Sequence, residues 1–330
     1  MAAGAYAAWQ SYRYRNYLKG KTAVVTGGTR GLGYLVAREL GHRGCRVAIC
    51  GRDVNELSSA RRALEEDDIT AESIQCDVTE VEDVRRLVDE TREQFGAIDV
   101  LVNNAGIMRV GSIESMEVND FQESMDTMFW GVFHPTWEVL PEMFARGEGH
   151  IVNITSIGGK VSVPHLLPYC AAKFAAVGFS EGLRAEMEGT GVSVTTIAPG
   201  LMRTGSFKQA EFKGQRQKEY TWFSLASSLP GIAMDAESAA REVVDATVRG
   251  QAERILTFPA KVLNAIHGIA PGAVANMLGF VDRNLLPAPA SAETGRRQGK
   301  NVEGRMDETK QQWLERATTL GQRAARRYQT

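Results

Sequence analysis

The chain of 330 residues is 43% hydrophobic and 24% charged, with a formal net charge of −2. These are globular proportions: they exclude chain-long disorder, a collagen-like repeat and a small disulfide scaffold, and the near-neutral balance argues against a nucleic-acid binder. The charge is nevertheless split. Residues 1–19 carry three bases and no acid, residues 288–330 carry nine bases and five acids, and removing that +3 and +4 leaves −9 on the stretch between.

Between Lys21 and Phe258, short apolar runs alternate with amphipathic ones. Thr22–Thr26 predicts a strand, and Leu32–Arg43, with Leu32, Leu35, Val36 and Leu40 at helical spacing, predicts a helix. The pairing repeats at 46–50 and 56–66, 71–76 and 81–95, 98–102 and 118–144, 150–154 and 169–188, and 192–197 and 236–249, with a last strand at 254–258. Strands separated by helices pair in parallel, and unbroken apolar runs suit burial on both faces. The expected class is α/β, a doubly wound parallel sheet in three α/β/α layers spanning residues 20–258. Outside it lie an aromatic, basic lead (1–19, with Tyr6, Tyr12, Tyr14, Tyr17, Arg13, Arg15 and Lys19), an apolar helical extension (259–287) and a basic tail (288–330) with a helix over 307–328.

The first strand runs directly into Thr26-Gly27-Gly28-Thr29-Arg30-Gly31-Leu32-Gly33. Glycines let a backbone approach a pyrophosphate, and the first amides of the following helix point at it, so this turn is a candidate anion cradle. The second strand ends in Gly51-Arg52, where an NAD-binding chain places a carboxylate for the ribose 2′-hydroxyl. Arg52 and Arg30 together suit a 2′-phosphate, which favours NADP(H).

Further along, Asn103-Asn104-Ala105-Gly106 closes the fourth strand, Ser156 follows the fifth, and Tyr169 and Lys173 stand four residues apart on a helix. That spacing puts phenol and ammonium on one face. A free phenol titrates near pH 10, and a neighbouring cation is expected to lower it, so that it can pass a proton to a carbonyl oxygen while Ser156 bonds the same oxygen.

From about Gly20 to Phe258 the chain resembles the short-chain dehydrogenases/reductases. The likeness is carried by TGGTRGLG, Asp77-Val78, NNAG, Ser156–Tyr169–Lys173 and Pro199-Gly200-Leu201-Met202-Arg203-Thr204, in order on the expected elements. The resemblance implies the Rossmann fold, Tyr169 as general acid or base, Lys173 on the nicotinamide ribose and Ser156 on the substrate. It implies cofactor contacts from Gly27, Thr29, Arg30, Gly31, Leu32 and Gly33, from Arg52, Asp77 and Val78, from Asn104, Ala105 and Gly106, and from Pro199, Gly200, Met202 and Thr204. A homodimer or homotetramer, formed through the helices around 117–144 and 169–188, is implied as well.

One position departs from the pattern. The family's asparagine three residues before a glycine of the long helix is Met128 here, ahead of Gly131. A thioether cannot replace an amide, so a proton relay from Lys173 is expected to run through backbone carbonyls or Asp126, or to be weak. The region 207–229, with Phe207, Phe212, Trp222, Phe223 and Leu225, covers the substrate in relatives. It suggests a hydrophobic carbonyl or alcohol substrate, or simply a packed lid. Pro164 and His165 precede Tyr169, where substrate contact and a plain loop role are both open.

The leading reading is an NADPH-dependent reductase of a hydrophobic ketone or aldehyde, reversible as alcohol oxidation. The alternatives are a non-catalytic NADP(H) sensor or scaffold, and a reductase held at a membrane surface by its basic ends. Four cysteines without a CxxC or Cys/His cluster point to no metal site and to a reduced, cytoplasmic protein. No signal-like run opens the chain, and the apolar stretch 255–286 is interrupted by Pro259, Lys261, His267, Pro271 and Asp282.

Overall fold

The computed structural model describes residues 17–289 and 295–328. β1 (Thr22–Thr26) leads to α1 (Gly31–His42), β2 (Arg46–Gly51) to α2 (Val54–Glu66), and β3 (Ala71–Gln75) to α3 (Val81–Phe95). β4 (Val100–Asn103) is followed by the two-residue β5 (Arg109–Val110) and by α4 (Val118–Met125). A π-helical turn over Asp126–Trp130 joins α4 to α5 (Gly131–Arg146). The long helix expected over 118–144 is thus interrupted by a wider turn, which re-aims the side chains after it. Then come β6 (Gly149–Ile154), α6 (Leu167–Glu186), β7 (Val192–Ala198), β8 (Met202–Arg203), β9 (Glu211–Phe212), α7 (Arg216–Ser228), β10 (Met234–Asp235), α8 (Ala236–Val248) and β11 (Glu253–Ile255).

Seven strands make one sheet in the order β11-β7-β6-β4-β1-β2-β3, every pair parallel. Alternation along β1 divides the core between its two faces. Ala23 and Val25 join a cluster with Leu35 and Leu40 of α1, Leu57 of α2 and Val243 of α8. Val24 faces the opposite cluster, with Leu87 of α3 and Val139 and Met143 of α5. Strand order reverses between β1 and β4, and the crevice at their C-terminal ends is the place where such sheets bind ligands.

The apolar extension folds as two helices, α9 (Phe258–Ile269) and α10 (Pro271–Leu285), with Ala260 and Val274 buried and Phe258, Ile269 and Phe280 exposed. No helix among the described residues is long and apolar enough to cross a membrane.

The basic tail is ordered against the domain it follows. It folds back on its own body as β12 (Arg297–Gln298), α11 (Gly299–Glu303), α12 (Glu308–Ala317) and α13 (Thr319–Tyr328), the expected single helix being broken at the buried Thr318. β12 pairs antiparallel with β9, which pairs with β5, so the tail completes a small sheet above the crevice. Val302 and Leu314 are buried in a third cluster with Phe207, Phe212, Tyr220 and Phe223. Arg296 reaches Asp120 and Glu123, and Arg327 reaches Glu237. The acidic surplus of the body is therefore met, in part, by bases of the same chain. At the other end, Leu18 is fully buried and the Tyr17 hydroxyl lies 2.8 Å from His150 Nε2. The rest of the expected lead, residues 1–16, lies outside the described residues.

Candidate active site

The residues singled out in the sequence come together along the C-terminal edge of the sheet. After β1, Gly27 has φ +62, and a Cβ there would stand 2.9 Å from Ala105 Cα; a Cβ on Gly33 would stand 2.2 Å from the Gly27 carbonyl oxygen. Only glycine lets these chains approach so closely. The loop after β4 is clamped to this turn: the amides of Asn104 and Ala105 donate to Thr26 Oγ1 at 3.0 and 3.1 Å, and Asn104 Nδ2 donates to the carbonyls of Thr26 and Gly27. Gly31, Leu32 and Gly33 open α1, whose N-cap Arg30 offers no side-chain cap, so its first amides are left for a ligand. The glycine cradle and uncapped helix start fit a dinucleotide pyrophosphate.

A Cβ on Gly51 would strike Thr29 Cγ2 at 2.8 Å, so an NAD-type carboxylate at the end of β2 has no room unless Thr29 moves. Arg52 is 70% exposed and stands 3.7 Å from Asp77 Oδ2. Arg30 is paired with Glu56 of α2, which also accepts from Thr29 Oγ1. Sequence reasoning missed Glu56; a carboxylate in the first turn after Arg52 was the available signal. Asp77 accepts from both the amide and the hydroxyl of Thr79, and Val78 is buried beside Gly131.

Ser156 follows β6 and accepts the Gly158 amide at 3.0 Å. Tyr169 and Lys173 stand on α6, one turn apart, the ammonium 5.9 Å from the phenol ring. The expectation that Lys173 lowers the phenol is not met here: burial pushes Tyr169 up to about 12, against the pull of the Ser156 hydrogen bond. Burial also pushes Lys173 down to about 8, and its Nζ donates to the Ile154 carbonyl at 2.8 Å. Desolvation is the first cause of both shifts, since each charged form loses water in the crevice. Met128, in the π-turn, is fully buried, with Sδ 3.7 Å from where a Gly106 Cβ would lie. Pro199, Gly200, Met202 and Thr204 follow β7. The Pro199 carbonyl accepts the Ile157 amide beside Ser156, and Thr204 is buried.

Over this edge lies the segment 207–229. Phe207, Phe212 and Phe223 are buried and pack the lid on the body, while Trp222 and Leu225 are partly buried in the cluster that also holds Tyr169 and Met108. Among the described residues no group of His, Cys, Asp and Glu could hold a metal ion.

The family model described as short chain dehydrogenase matches residues 21–214. The mouse protein named dehydrogenase/reductase SDR family member 7B is 32% identical over 269 residues, covering 80% of this chain and 81% of its own. The 11-beta-hydroxysteroid dehydrogenase A of Sesamum indicum is 34% identical over 249 residues, covering 73% and 69%. Among solved structures, a variant of actinorhodin polyketide ketoreductase crystallised with NADPH superposes with a TM-score of 0.63 at 31% identity, covering 72% of this chain and 95% of that one. A short-chain dehydrogenase from Streptomyces avermitilis reaches 0.69 at 28% identity, covering 80% and 97%.

Proposed function

Since the chain belongs to the short-chain dehydrogenase/reductase family, we propose that it is an NADPH-dependent reductase of a hydrophobic ketone or aldehyde, running in reverse as an alcohol oxidation. The observation that carries this reading is the meeting, on one sheet edge, of the glycine cradle with Ser156, the Tyr169 phenol and a buried ammonium one turn along the same helix. When bound, NADPH supplies a hydride to the carbonyl carbon.

Tyr169 gives its proton to the carbonyl oxygen as that oxygen gains charge. A phenol pushed up to about 12 is fully protonated at neutral pH, which suits the donor role in reduction. Ser156 bonds the same oxygen and orients it. Lys173 holds the nicotinamide ribose hydroxyls with the Nζ protons not given to Ile154. Because its pKa is pushed down to about 8, the ammonium is present at pH 7 and lost above that value. With Met128 in the asparagine slot, the Ile154 carbonyl accepts from Lys173 Nζ and orients the ammonium, which is the proton-bearing group one turn from Tyr169.

Gly51, Arg52 and Arg30 support the preference for the 2′-phosphate, and Trp222 and Leu225 support an apolar substrate. Four buried, unpaired cysteines are compatible with a cytoplasmic setting. The half-exposed Trp130, Trp137 and Phe174 on and beside α5 and α6 offer an apolar face for a homodimer or homotetramer. Titrating the protein with each cofactor tests the cofactor assignment: NADPH should bind at least about tenfold more tightly than NADH, two charge-assisted contacts being worth that much. Equal or tighter NADH binding would overturn it.

A further inference from the structure

Glu219 of α7 is a carboxylate only 2% exposed, on a helix whose Tyr220, Trp222, Phe223 and Leu225 join the apolar cluster that includes Tyr169. Burial of a carboxylate is costly unless donors hold it. Both oxygens are held. His165 Nδ1 donates across the pair, at 2.8 Å from Oε1 and 3.0 Å from Oε2, and Trp222 Nε1 donates to Oε2 at 2.6 Å. The other ring nitrogen of His165 faces Asp282 of α10 at 3.3 Å. His165 has φ +63, and its carbonyl accepts the Gly111 amide at 2.9 Å. Such a left-handed residue persists where its surroundings hold it, and it is over-represented at ligand sites. One line of contacts thus runs from the apolar hairpin, through the loop four residues ahead of Tyr169, to the lid helix, and ends on an indole.

We propose that Glu219, clamped by His165, is a positioning residue that fixes the Trp222 indole as the selective wall of the carbonyl-substrate site. The inference rests on the reductase reading. An indole locked in one orientation gives a flat apolar group beside the carbonyl a surface to lie on, and gives a small aliphatic ketone nothing comparable. Asp282 supports the clamp from outside and has no part in the chemistry.

The test uses the full chain with Glu219→Gln, Trp222→Phe, their double variant and Asp282→Asn. Each is assayed with NADPH against an aryl ketone and a small aliphatic ketone. Glu219→Gln and Trp222→Phe should each lower the aryl-over-aliphatic ratio of kcat/KM about tenfold, through KM for the aryl ketone, with kcat and the KM for NADPH nearly unchanged. The double variant should be no worse than either single one, because both remove the same wall. Asp282→Asn, at an exposed side chain where folding is not at risk, should move the ratio the same way by less. Additive losses, an unchanged ratio, or a fall in kcat at constant KM would overturn the proposal. A second readout needs no turnover. The fluorescence lost on Trp222→Phe isolates that indole, and its quenching by acrylamide should rise clearly in Glu219→Gln and in Asp282→Asn; unchanged quenching would refute the clamp. Absence of turnover with every carbonyl would instead count against the reductase reading, and the quenching would still decide whether Glu219 holds the indole.

Discussion

Tyr169 and Lys173 share a helix face, yet burial moves them in opposite directions, the phenol up to about 12 and the ammonium down to about 8. The spacing was legible in the sequence; the directions were not, because desolvation depends on what closes over the crevice. The consequence is a pH asymmetry. Carbonyl reduction uses the protonated phenol and the charged ammonium, so kcat/KM should hold through pH 7 and fall as pH rises through about 8, where Lys173 is lost. Alcohol oxidation needs the phenolate, so at neutral pH it should be the slower direction. Rates in both directions between pH 6 and 9 check this; a reduction rate that rises across pH 8 would speak against it. At the cofactor end, Glu56 is paired with Arg30 and would compete for it with the 2′-phosphate of the proposed cofactor. Glu56→Gln should therefore tighten NADPH binding several-fold and leave NADH nearly unchanged, since one partly exposed pair is worth up to about 1 kcal/mol. A parallel change in both cofactors would remove Glu56 from that role.

At the scale of elements, the strand–helix alternation could be read directly, because period-two and period-3.6 apolar patterns are local. The pairing of β12 with β9 could not be, since two-residue strands leave no pattern and their partners lie far apart in sequence. Nor could the charged core of that region. Lys213 and Asp120 are fully buried and 2.7 Å apart, with Arg296 of the tail 3.0 Å from Asp120 and Arg109 beside them. Removing one partner of such a group leaves the others uncompensated. Asp120→Ala should thus cost about 3–5 kcal/mol in urea denaturation, and a loss under 1 kcal/mol would show that water reaches the cluster. The start of β6 carries a second device. His150 is buried between Tyr17 and Ser193 and is pushed down by burial to about 4. The unfolded chain binds that proton below about pH 6.5 and the folded chain does not, so stability should fall between pH 6.5 and about 4, by up to roughly 3 kcal/mol. His150→Gln should flatten that part of the Tm–pH curve; an identical slope in the variant would assign the loss to carboxylates.

For the molecule as a whole, the split between an acidic body and basic ends resolves at one end. The tail covers its own lid, contributing Val302 and Leu314 to the cluster that roofs the crevice. Removing residues 288–330 should therefore leave the parallel sheet folded, by far-ultraviolet circular dichroism, while lowering Tm and raising substrate KM through the uncovered lid. A truncated chain with unchanged KM would make the tail a passive appendage. Beneath that roof, the crevice between β1 and β4 is the proposed reductase site, run by Tyr169. The most direct test is the initial rate of NADPH consumption with hydrophobic ketones and aldehydes, in the wild-type chain and in Tyr169→Phe. The predicted result is turnover that falls by a factor of about 10²–10⁴ in the variant while NADPH binding is retained; equal turnover in the two proteins, or none in the wild type, would contradict it.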